Sequence, residues 1–522
     1  MKVDHLKKWL RRLALLGFNA AKLYTEDTYQ LPGEPYFGYC RGAYTADELR
    51  QINAFAKRLG IEMIGCIQGL AHLTQVLKWG HAYGEVRDTA DILLVGEEKT
   101  YALLEKKIKH FADVYDSRRI MLNMDEAIDL GRGRYMDLHG ERRRFDIFNE
   151  HLARLIEICN KYELRPIVSS DMYFRMGSAT MDYYDPDAVM PDDVRRAMPA
   201  AMQLVYWDYY HGDEAFYLDY IERHRALGFE PMVFSALWTW VELWHSWALT
   251  LRNAVPCIAA CKKAKVKELY FCMWGDDGAA CEFDSALGGL VYVAEQAYSG
   301  AFSETKVAAK VAEICQGDYV GSRLAGEMDI QLKPGDSIDE MVLAMCVLWD
   351  DPLLGIYSEE MKLWEGDVWG DAATLYGRLA SQLAEHQAGA NGAGDLEHAL
   401  NLAEVLKMKV GLRLRLDAAY GRRDMAALKE IAEAVPSMVA LLERLDGSFG
   451  RQWLRRNKPF GLEVIQIRNA GLIRRYRELQ ERLMALVAGE IDGIDELDET
   501  PGEPTHMNVV GYRGLASGSS NF

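Results

Sequence analysis

The stretch that decides the fold is Arg119-Ile120-Met121-Leu122-Asn123-Met124-Asp125-Glu126. Its apolar residues predict a short buried strand, and this strand ends at two adjacent carboxylates. The Asp-Glu dipeptide occurs five more times in the chain, each time in helical or polar surroundings that indicate a solvated acidic face. Only the pair at Asp125 and Glu126 follows a buried strand, so its position marks it as a candidate site.

Strand and helix patterns alternate on both sides of this stretch, over residues 1–302. Seven apolar strands are predicted, at Phe18–Leu23, Ile61–Ile67, Ile120–Met124, Pro166–Ser169, Gln203–Tyr206, Pro231–Ala236 and Leu269–Met273. Repeated strand-then-helix order indicates a parallel sheet, and we predict an α/β fold built on a (β/α)8 TIM-type barrel. An open doubly wound sheet is the alternative, but no Gly-x-Gly-x-x-Gly turn follows any strand.

A closed barrel of this type needs an eighth strand, and the first one is not found. We expect either that the authentic chain starts upstream of Met1 or that another segment, such as Met507–Tyr512, fills the gap. After the barrel, residues 303–490 have a helical pattern that predicts an all-α C-terminal domain. Residues 491–522 are expected to form an irregular tail.

Composition narrows the range of functions. The 522 residues carry a net charge of -18, which argues against nucleic acid or an anionic membrane as the main partner. No apolar run is long enough to span a membrane. The nine cysteines include no Cys-x-x-Cys pair, so we expect free thiols, a cytoplasmic location and no metal site. We also expect no cofactor.

The predicted strand ends bring acids and aromatic rings to one face of the barrel, where such enzymes place their active sites. Rings stack on sugars and carboxylates hold hydroxyls, so this face is expected to bind a sugar. Most glycosidases set two carboxylates about 5–10 Å apart on opposite sides of the anomeric carbon. The adjacent Asp125 and Glu126 do not suit that geometry. They suit a reaction in which one acid protonates the leaving oxygen and the other orients a nucleophile carried by the substrate.

Five motifs, in this order along the chain, resemble those of glycoside hydrolase family 20, the β-N-acetylhexosaminidases. They are Tyr24-Thr-Glu-Asp27, Gln68-Gly-Leu-Ala-His72, Met121-Leu-Asn-Met-Asp-Glu126, Tyr206-Trp-Asp208 and Trp274-Gly-Asp-Asp277. The hexosaminidase D-like and bacterial branch is the most similar. The resemblance implies an exo-acting enzyme that removes terminal β-linked N-acetylglucosamine or N-acetylgalactosamine. It also implies a retaining, substrate-assisted mechanism in which the 2-acetamido group forms an oxazolinium ion.

The resemblance also implies roles for individual residues. Glu126 would act as general acid and then base, with a pKa raised by burial beside Asp125. Asp125 would orient the acetamido group, while Asp27, or Glu26 in its place, would pair with His72 to tune the acid. The remaining implied contacts with the sugar come from Tyr206 to the acetamido oxygen, from Trp207, Trp238, Trp240 and Trp274 as pocket walls, and from Asp276 and Asp208 to the 4- and 6-hydroxyls.

The family arginine that grips the 3- and 4-hydroxyls belongs to the strand that is not found, and Arg41 is the candidate to replace it. Two alternatives stay open: another glycosidase with a neighbouring-group mechanism, and an inactive barrel that only binds sugar. The expected partner is a small glycoside or glycan. The oligomeric state is open, with a homodimer through the helical segment as one alternative.

Overall fold

A computed structural model describes residues 1–300, 302–329, 343–362, 367–389, 396–499 and 512–519. The chain forms two compact units. The first consists of Met1–Ser235 with Val255–Phe271, and the second of Ala236–Ala254 with Cys272–Phe522. The predicted boundaries at residues 302 and 490 stay predictions.

Parallel strands in simple sequential order form the sheet, from β1 at one edge to β7 at the other. The strands are β1 (Ala20–Lys22), β2 (Glu62–Cys66), β3 (Arg119–Asn123), β4 (Arg165–Ser169), β5 (Gln203–Trp207), β6 (Met232–Ala236) and β7 (Leu269–Cys272). Sequential order has no reversal point, so the doubly wound alternative is excluded. All seven strands coincide with predicted ones.

The sheet is curled, because side chains of distant strands meet. A flat sheet would hold β1 and β7 about 29 Å apart. Instead, the Lys22 ammonium of β1 lies 3.8 Å from the centre of the Tyr270 ring of β7. Phe18, just before β1, also packs edge-on against Phe271, with ring centres 6.4 Å apart. The predicted barrel class, with seven strands among the described residues, is therefore confirmed.

Helices precede, connect and follow the strands of the sheet. They are α1 (Val3–Leu15), α2 (Ala46–Arg58), α3 (Thr74–Leu77), α4 (Gly80–Tyr83), α5 (Glu98–Val114), α6 (Arg134–His139), α7 (Arg144–Lys161), α8 (Asp171–Gly177), α9 (Asp192–Ala197), α10 (Glu214–Ala226), α11 (Trp247–Ala264) and α12 (Leu287–Ser299). At the start of α2, Thr45 and Glu48 exchange the two hydrogen bonds of a capping box, at 2.9 and 3.1 Å.

The rest of the second unit is helical. Its helices are α13 (Glu304–Lys310), α14 (Tyr319–Ala325), α15 (Leu343–Trp349), α16 (Ile356–Met361), α17 (Val368–Gly389), α18 (Glu397–Gly421), α19 (Met425–Arg456), α20 (Leu462–Ala488), α21 (Asp495–Asp498) and α22 (Tyr512–Ala516). Buried Trp349, Leu406 and Leu442 belong to one apolar core within this unit. The predicted all-α character is confirmed. Among the described helices, none is long and apolar enough to cross a membrane. Residues 507–511 of the proposed gap-filling segment lie outside the described residues.

Candidate active site

The chain turns sharply where β3 ends. Asn123, Met124 and Glu126 have positive φ values of 56°, 68° and 54°. Residues other than glycine adopt this conformation at a cost of about 1 kcal/mol or more, and such strain concentrates at functional sites. The Asn123 amide holds the turn by donating to Ile67 O at 2.9 Å and to Gln68 Oε1 at 2.6 Å. The turn breaks the strand alternation that would otherwise point Asp125 and Glu126 to opposite faces.

His72 lies between the two carboxylates. Its Nε2 is 3.4 Å from Asp125 Oδ2 and 3.4 Å from Glu126 Oε2. His72 has a φ of 57°, and Asp91 fixes this loop by accepting its backbone N–H at 3.2 Å. The predicted association of His72 with the acid pair is thus present.

Glu126 has two further partners on its other oxygen. Arg175 Nη2 donates to Glu126 Oε1 at 3.2 Å, and the Tyr183 hydroxyl donates to the same atom. The guanidinium carbon of Arg175 lies 3.4 Å from the centre of the Tyr183 ring. Arg175 is only 4% exposed, so its charge acts on Glu126 with little screening by water.

Asp171 is fully buried and contacts both Glu126 and Arg175. One of its oxygens accepts the backbone N–H of Glu126 at 3.0 Å and lies 3.5 Å from Arg175 Nε. Its other oxygen accepts from the Trp207 indole at 3.4 Å. Asp171 therefore positions both the strained backbone of Glu126 and the Trp207 side chain.

The charges shift one another strongly. Burial alone would lower the pKa of His72, but its bonds to Asp125 and Glu126 raise that pKa to about 11. Burial has the opposite effect on an acid, and it raises the pKa of Asp171 to about 7. The negative charge of Asp125 adds to this shift, and the positive charge of Arg175 opposes it. For Glu126, burial would raise the pKa, but His72 and Tyr183 lower it below the usual value. The expectation of a raised pKa at Glu126 is therefore wrong for the unliganded site, because cationic and hydroxyl donors outweigh burial.

Asp27 and Arg41 form a pair on the loop that follows β1. Arg41 Nε donates to Asp27 Oδ1 at 3.1 Å, and Arg41 Nη2 donates to Glu26 Oε2 at 3.2 Å. Asp27 is 1% exposed, whereas about a third of the Glu26 side chain is exposed. The contacts recorded for Asp27 run to Arg41, and those of the His72 ring run to Asp125 and Glu126. The implied Asp27–His72 pair stays a prediction.

Tyr206 lies away from this cluster, although its neighbour Trp207 belongs to it. Alternation along β5 sends the two rings to opposite faces of the sheet. The Tyr206 ring is fully buried and stacks on Tyr220 of α10, with ring centres 5.6 Å apart. Its hydroxyl donates to Asp208 at 3.0 Å. Asp208 in turn accepts the backbone N–H of Tyr210 at 3.0 Å. Tyr206 therefore packs in the core, and Asp208 accepts hydrogen bonds from Tyr206 and from the turn that follows β5.

The four remaining predicted residues belong to the second unit. Trp238 and Trp240 are buried and stack with ring centres 3.9 Å apart. Thr239 donates to the carbonyl of Trp274 at 2.8 Å, which ties these two segments of the unit together. Trp274 is half-buried and Asp276 is exposed. Their roles toward a sugar stay predictions.

Sequence reasoning missed Arg175 and Tyr183. The signal for Arg175 was present, because Asp171 and Arg175 are an acid and a base four residues apart, the spacing of partners on a helix. The helix α8 that carries them has only seven residues, too few for a periodic pattern. Tyr183 follows α8 in an irregular loop, and no local pattern indicates its role.

His72, Asp125 and Glu126 are also the residues to consider for a metal. Their ligand atoms lie within 4.8 Å of one another, and no other group of His, Cys, Asp and Glu in the described part of the chain meets this criterion. One imidazole and two carboxylates are an acceptable set for a divalent ion. The same three groups neutralise one another in part, so a metal is not needed to explain their proximity.

Residues 336–507 match the family model of the Glycoside Hydrolase 20C C-terminal domain. This match covers about a third of the chain, and it supports the resemblance to family 20 glycoside hydrolases that the sequence motifs indicate. No curated protein matches the chain.

Several solved structures are similar to this chain at low identity. The exo-β-N-acetylglucosaminidase of Vibrio harveyi is 12% identical with a TM-score of 0.44, over 60% of this chain and 54% of that protein. The chitobiase of Flavobacterium johnsoniae is 13% identical with a TM-score of 0.45, over 99% of this chain and 75% of that one. The β-N-acetylhexosaminidase of Bacteroides fragilis is 17% identical with a TM-score of 0.43, over 60% of this chain and 66% of that protein. This chain thus spans about half the length of the Vibrio enzyme.

Proposed function

We propose that this protein is an exo-β-N-acetylhexosaminidase that uses substrate-assisted, retaining catalysis. The observation that carries the proposal is the placement of two neighbouring carboxylates around one imidazole, with the ligand atoms of Asp125, Glu126 and His72 within 4.8 Å of one another. An inverting enzyme needs carboxyl groups about 6.5–9.5 Å apart to admit a water between them. Two acids from one turn approach a sugar from the same side, so the nucleophile has to come from the substrate.

Asp125 is suited to orient that nucleophile. Its Oδ2 faces His72, while its Oδ1 is buried and accepts no hydrogen bond from the described residues. A buried carboxylate oxygen without a donor costs free energy until a donor arrives. The N–H of a 2-acetamido group is such a donor. Bonding to it would increase the nucleophilicity of the acetamido oxygen and stabilise the positive charge of the oxazolinium ion.

The proton for the leaving oxygen is held at His72 in the unliganded site. The raised pKa of His72 and the lowered pKa of Glu126 favour an imidazolium beside a carboxylate. When a bound sugar excludes water and engages Asp125, His72 loses part of the charge that holds its proton. The proton then passes from His72 Nε2 to Glu126 and on to the glycosidic oxygen. In the second step Glu126 removes a proton from the attacking water.

The test compares two chromogenic β-glycosides that differ only at carbon 2. The N-acetylglucosaminide should release its aglycone at a rate at least about a hundredfold above that of the matched glucoside, which lacks the internal nucleophile. A thiazoline that mimics the oxazolinium ion should inhibit competitively. Equal cleavage of both glycosides would contradict substrate assistance, and cleavage of neither would contradict a hexosaminidase.

A sugar-binding protein without hydrolysis is the second candidate. The observation that favours it is the pair of donors, Arg175 and Tyr183, which stabilise Glu126 in the ionised form that does not protonate a leaving group. Calorimetry with N-acetylglucosamine separates the two candidates. Binding without release of the aglycone would identify the binding protein. The nine free thiols support a reducing compartment such as the cytoplasm for either function.

A further inference from the structure

Two basic side chains that the proposed chemistry does not use are fully buried beside the loop that follows β2. Lys107 belongs to α5 and His151 to α7. The Lys107 ammonium donates to the carbonyl oxygen of Gln68, and His151 Nε2 lies 2.8 Å from the carbonyl oxygen of Gly69. Two neighbouring carbonyl groups on the chain that leads to His72 are therefore each bound by a base from a different helix.

The protonation state of His151 follows from its two partners. A carbonyl oxygen only accepts, so Nε2 carries the proton and donates to Gly69, while Nδ1 accepts from the Tyr101 hydroxyl at 3.3 Å. Burial lowers the pKa of His151 to about 4, so the ring is neutral at neutral pH. His151 is thus a fixed neutral donor and does not transfer protons.

Lys107 is buried at a cost in free energy. Its ammonium has three donors, and the described residues provide one acceptor, the Gln68 carbonyl. Burial lowers the pKa of Lys107 to about 7, although the negative charge of Asp27 opposes this shift. The nearest ring contact is Phe37, whose centre is 5.7 Å from Nζ. Replacing a buried charge by an apolar side chain of similar volume often stabilises a protein, so stability alone does not account for this lysine.

The bound peptide groups are joined directly to the turn that carries the two acids. The Gln68 side-chain oxygen accepts from the Asn123 amide at 2.6 Å, and the Gly69 N–H donates to Leu122 O at 2.9 Å. A side chain at Gly69 would place its Cβ 2.8 Å from Leu122 O, so only glycine lets the loop lie this close to β3. Asn123 begins the left-handed turn that ends at Glu126. Donors from α5 and α7 therefore hold the segment that supports this turn.

The same segment leads into His72, whose contacts are sensitive to small movements. His72 Nε2 is 3.4 Å from Asp125 Oδ2 and 3.4 Å from Glu126 Oε2. Distances of this length are at the upper limit for hydrogen bonds, so a small displacement of the loop breaks them. The position of the loop thus decides whether the imidazole bridges the two carboxylates.

We propose that Lys107 and His151 are positioning residues for the candidate active site. They fix the carbonyl groups of Gln68 and Gly69, and through them the distance of His72 from the two carboxylates. Neither residue touches the substrate or the reacting atoms. The inference rests on the proposed function for its effect on catalysis, whereas its effect on His72 does not depend on that function.

The first experiment removes each donor and measures kcat and KM separately on the chromogenic N-acetylglucosaminide. Lys107→Met and His151→Leu should each lower kcat at least about tenfold, because a misplacement of about 1 Å at a catalytic group has effects of this size or larger. KM should stay within about twofold, since the two residues make no contact with the sugar. His151→Gln keeps an amide N–H for the Gly69 carbonyl and should retain kcat to within about threefold.

The second unit supplies matched controls. Lys409 is also buried and donates to two backbone carbonyls, Leu348 O at 3.0 Å and Asp350 O at 2.8 Å. His398 is buried as well, and its Nδ1 lies 2.9 Å from the Ser448 hydroxyl. Lys409→Met and His398→Leu should lower the free energy of unfolding but leave the kcat of the folded protein unchanged.

A spectroscopic measurement tests the same inference without turnover. With isotope-labelled histidine, the ring signal of His72 is identified by its absence from the spectrum of His72→Gln. At about pH 8, a ring held between two carboxylates stays protonated, whereas a ring released from them is neutral. The signal should therefore move in Lys107→Met and His151→Leu and stay in place in the two controls.

An unchanged kcat in Lys107→Met and His151→Leu, with the same loss of stability as in the controls, would overturn the inference, because the two bonds would then serve the fold alone. A rise in KM at constant kcat would contradict it as well, since it would indicate a role in binding. The same would hold if His151→Gln lost as much kcat as His151→Leu, because the donated hydrogen bond would then not matter.

Failure of the proposed function has a different signature. If the wild-type chain does not cleave the chromogenic N-acetylglucosaminide, the His72 signal alone decides the positioning role. Movement in Lys107→Met and His151→Leu but not in the controls would support it, and a signal that stays in place would overturn it. If Lys107→Met does not fold, the comparison of His151→Leu with His151→Gln gives the answer.

Discussion

Charged side chains cluster at both ends of the barrel strands, but the two clusters differ in how their hydrogen bonds are satisfied. At the N-terminal ends, Arg119 forms a two-pronged contact with Glu62 and a further ion pair with Glu268. Ser117 and Gln203 donate to the same two carboxylates, at 2.6 and 3.1 Å. Burial would raise the pKa of Glu62 and Glu268, yet the Arg119 bonds lower both. The charged groups at this end are therefore paired with one another in a hydrogen-bonded network.

At the C-terminal ends one buried carboxylate oxygen has no donor. Asp125, Glu126 and Asp171 share the cations His72 and Arg175, and Asp125 Oδ1 accepts no bond from the described residues. The pKa of Asp171 is raised and that of Glu126 is lowered, so neighbouring carboxyls are driven to different proton states. The left-handed backbone of Asn123, Met124 and Glu126 also lies at this end of β3. Such an arrangement sacrifices stability for reactivity, which the N-terminal network does not.

The sharpest test of this contrast is Glu126→Gln. We expect kcat to fall about a thousandfold, within the range for loss of a general acid. The free energy of unfolding should change by no more than about 1 kcal/mol, since Arg175 and His72 keep Asp171 and Asp125 as partners. Glu141→Gln, at an exposed acid paired with Arg132, is the control and should retain activity. Near-normal turnover by Glu126→Gln would contradict a catalytic role for the charges at the C-terminal ends of the strands.

The opposite result is expected at the other end. Arg119→Met leaves Glu62 and Glu268 without their shared cation and should lower the free energy of unfolding by about 2 kcal/mol in urea titrations, since all three side chains are partly exposed. Arg132→Met breaks an exposed pair and should cost less than about 1 kcal/mol. The fraction that remains folded should keep its kcat. A large loss of kcat with unchanged stability would show that the two ends are not divided as described.

The contribution of the site to stability should depend on pH. The folded-state pKa of His72, about 11, lies above its ordinary value, so its contribution is fully present below that ordinary value and is lost as the pH rises toward 11. Near pH 6 the free energy of unfolding of the wild-type chain should exceed that of His72→Gln by about 2 kcal/mol. This difference should shrink in alkaline solution. His139→Gln, at an exposed histidine, should show no such trend. A constant difference for His72→Gln would mean that the imidazole is not held as a cation.

The sequence predicted what depends on local pattern. All seven strands were identified because buried parallel strands are short apolar runs between helices. Asp125 and Glu126 were identified because they end such a run. Trp207 followed from the same logic at the end of β5. These features need only the chain itself and its periodicity.

Features that depend on the orientation of a strand or on contacts between distant residues could not be predicted. Tyr206 and Trp207 are adjacent, and only the orientation of β5 decides that Trp207 reaches Asp171 while Tyr206 packs on α10. The lowered pKa of Glu126 depends on His72 and Tyr183, which lie 54 and 57 residues away along the chain. Long-range contacts of this kind leave no periodic signal in a single sequence.

The smallest expected effect concerns Arg175, which joins the two acids that the site drives to different proton states. Arg175→Lys keeps a charge but loses the fork that reaches both Asp171 and Glu126. Weaker stabilisation of the carboxylate should raise the pKa of Glu126 and move the acidic limb of kcat/KM to higher pH. The value at the optimum should fall about tenfold. Arg142→Lys, at a half-exposed arginine that contacts Tyr135 and Glu150, is the control and should leave the profile in place. An unshifted profile with reduced stability would instead assign Arg175 to the fold, as Arg119 is at the other end of the strands.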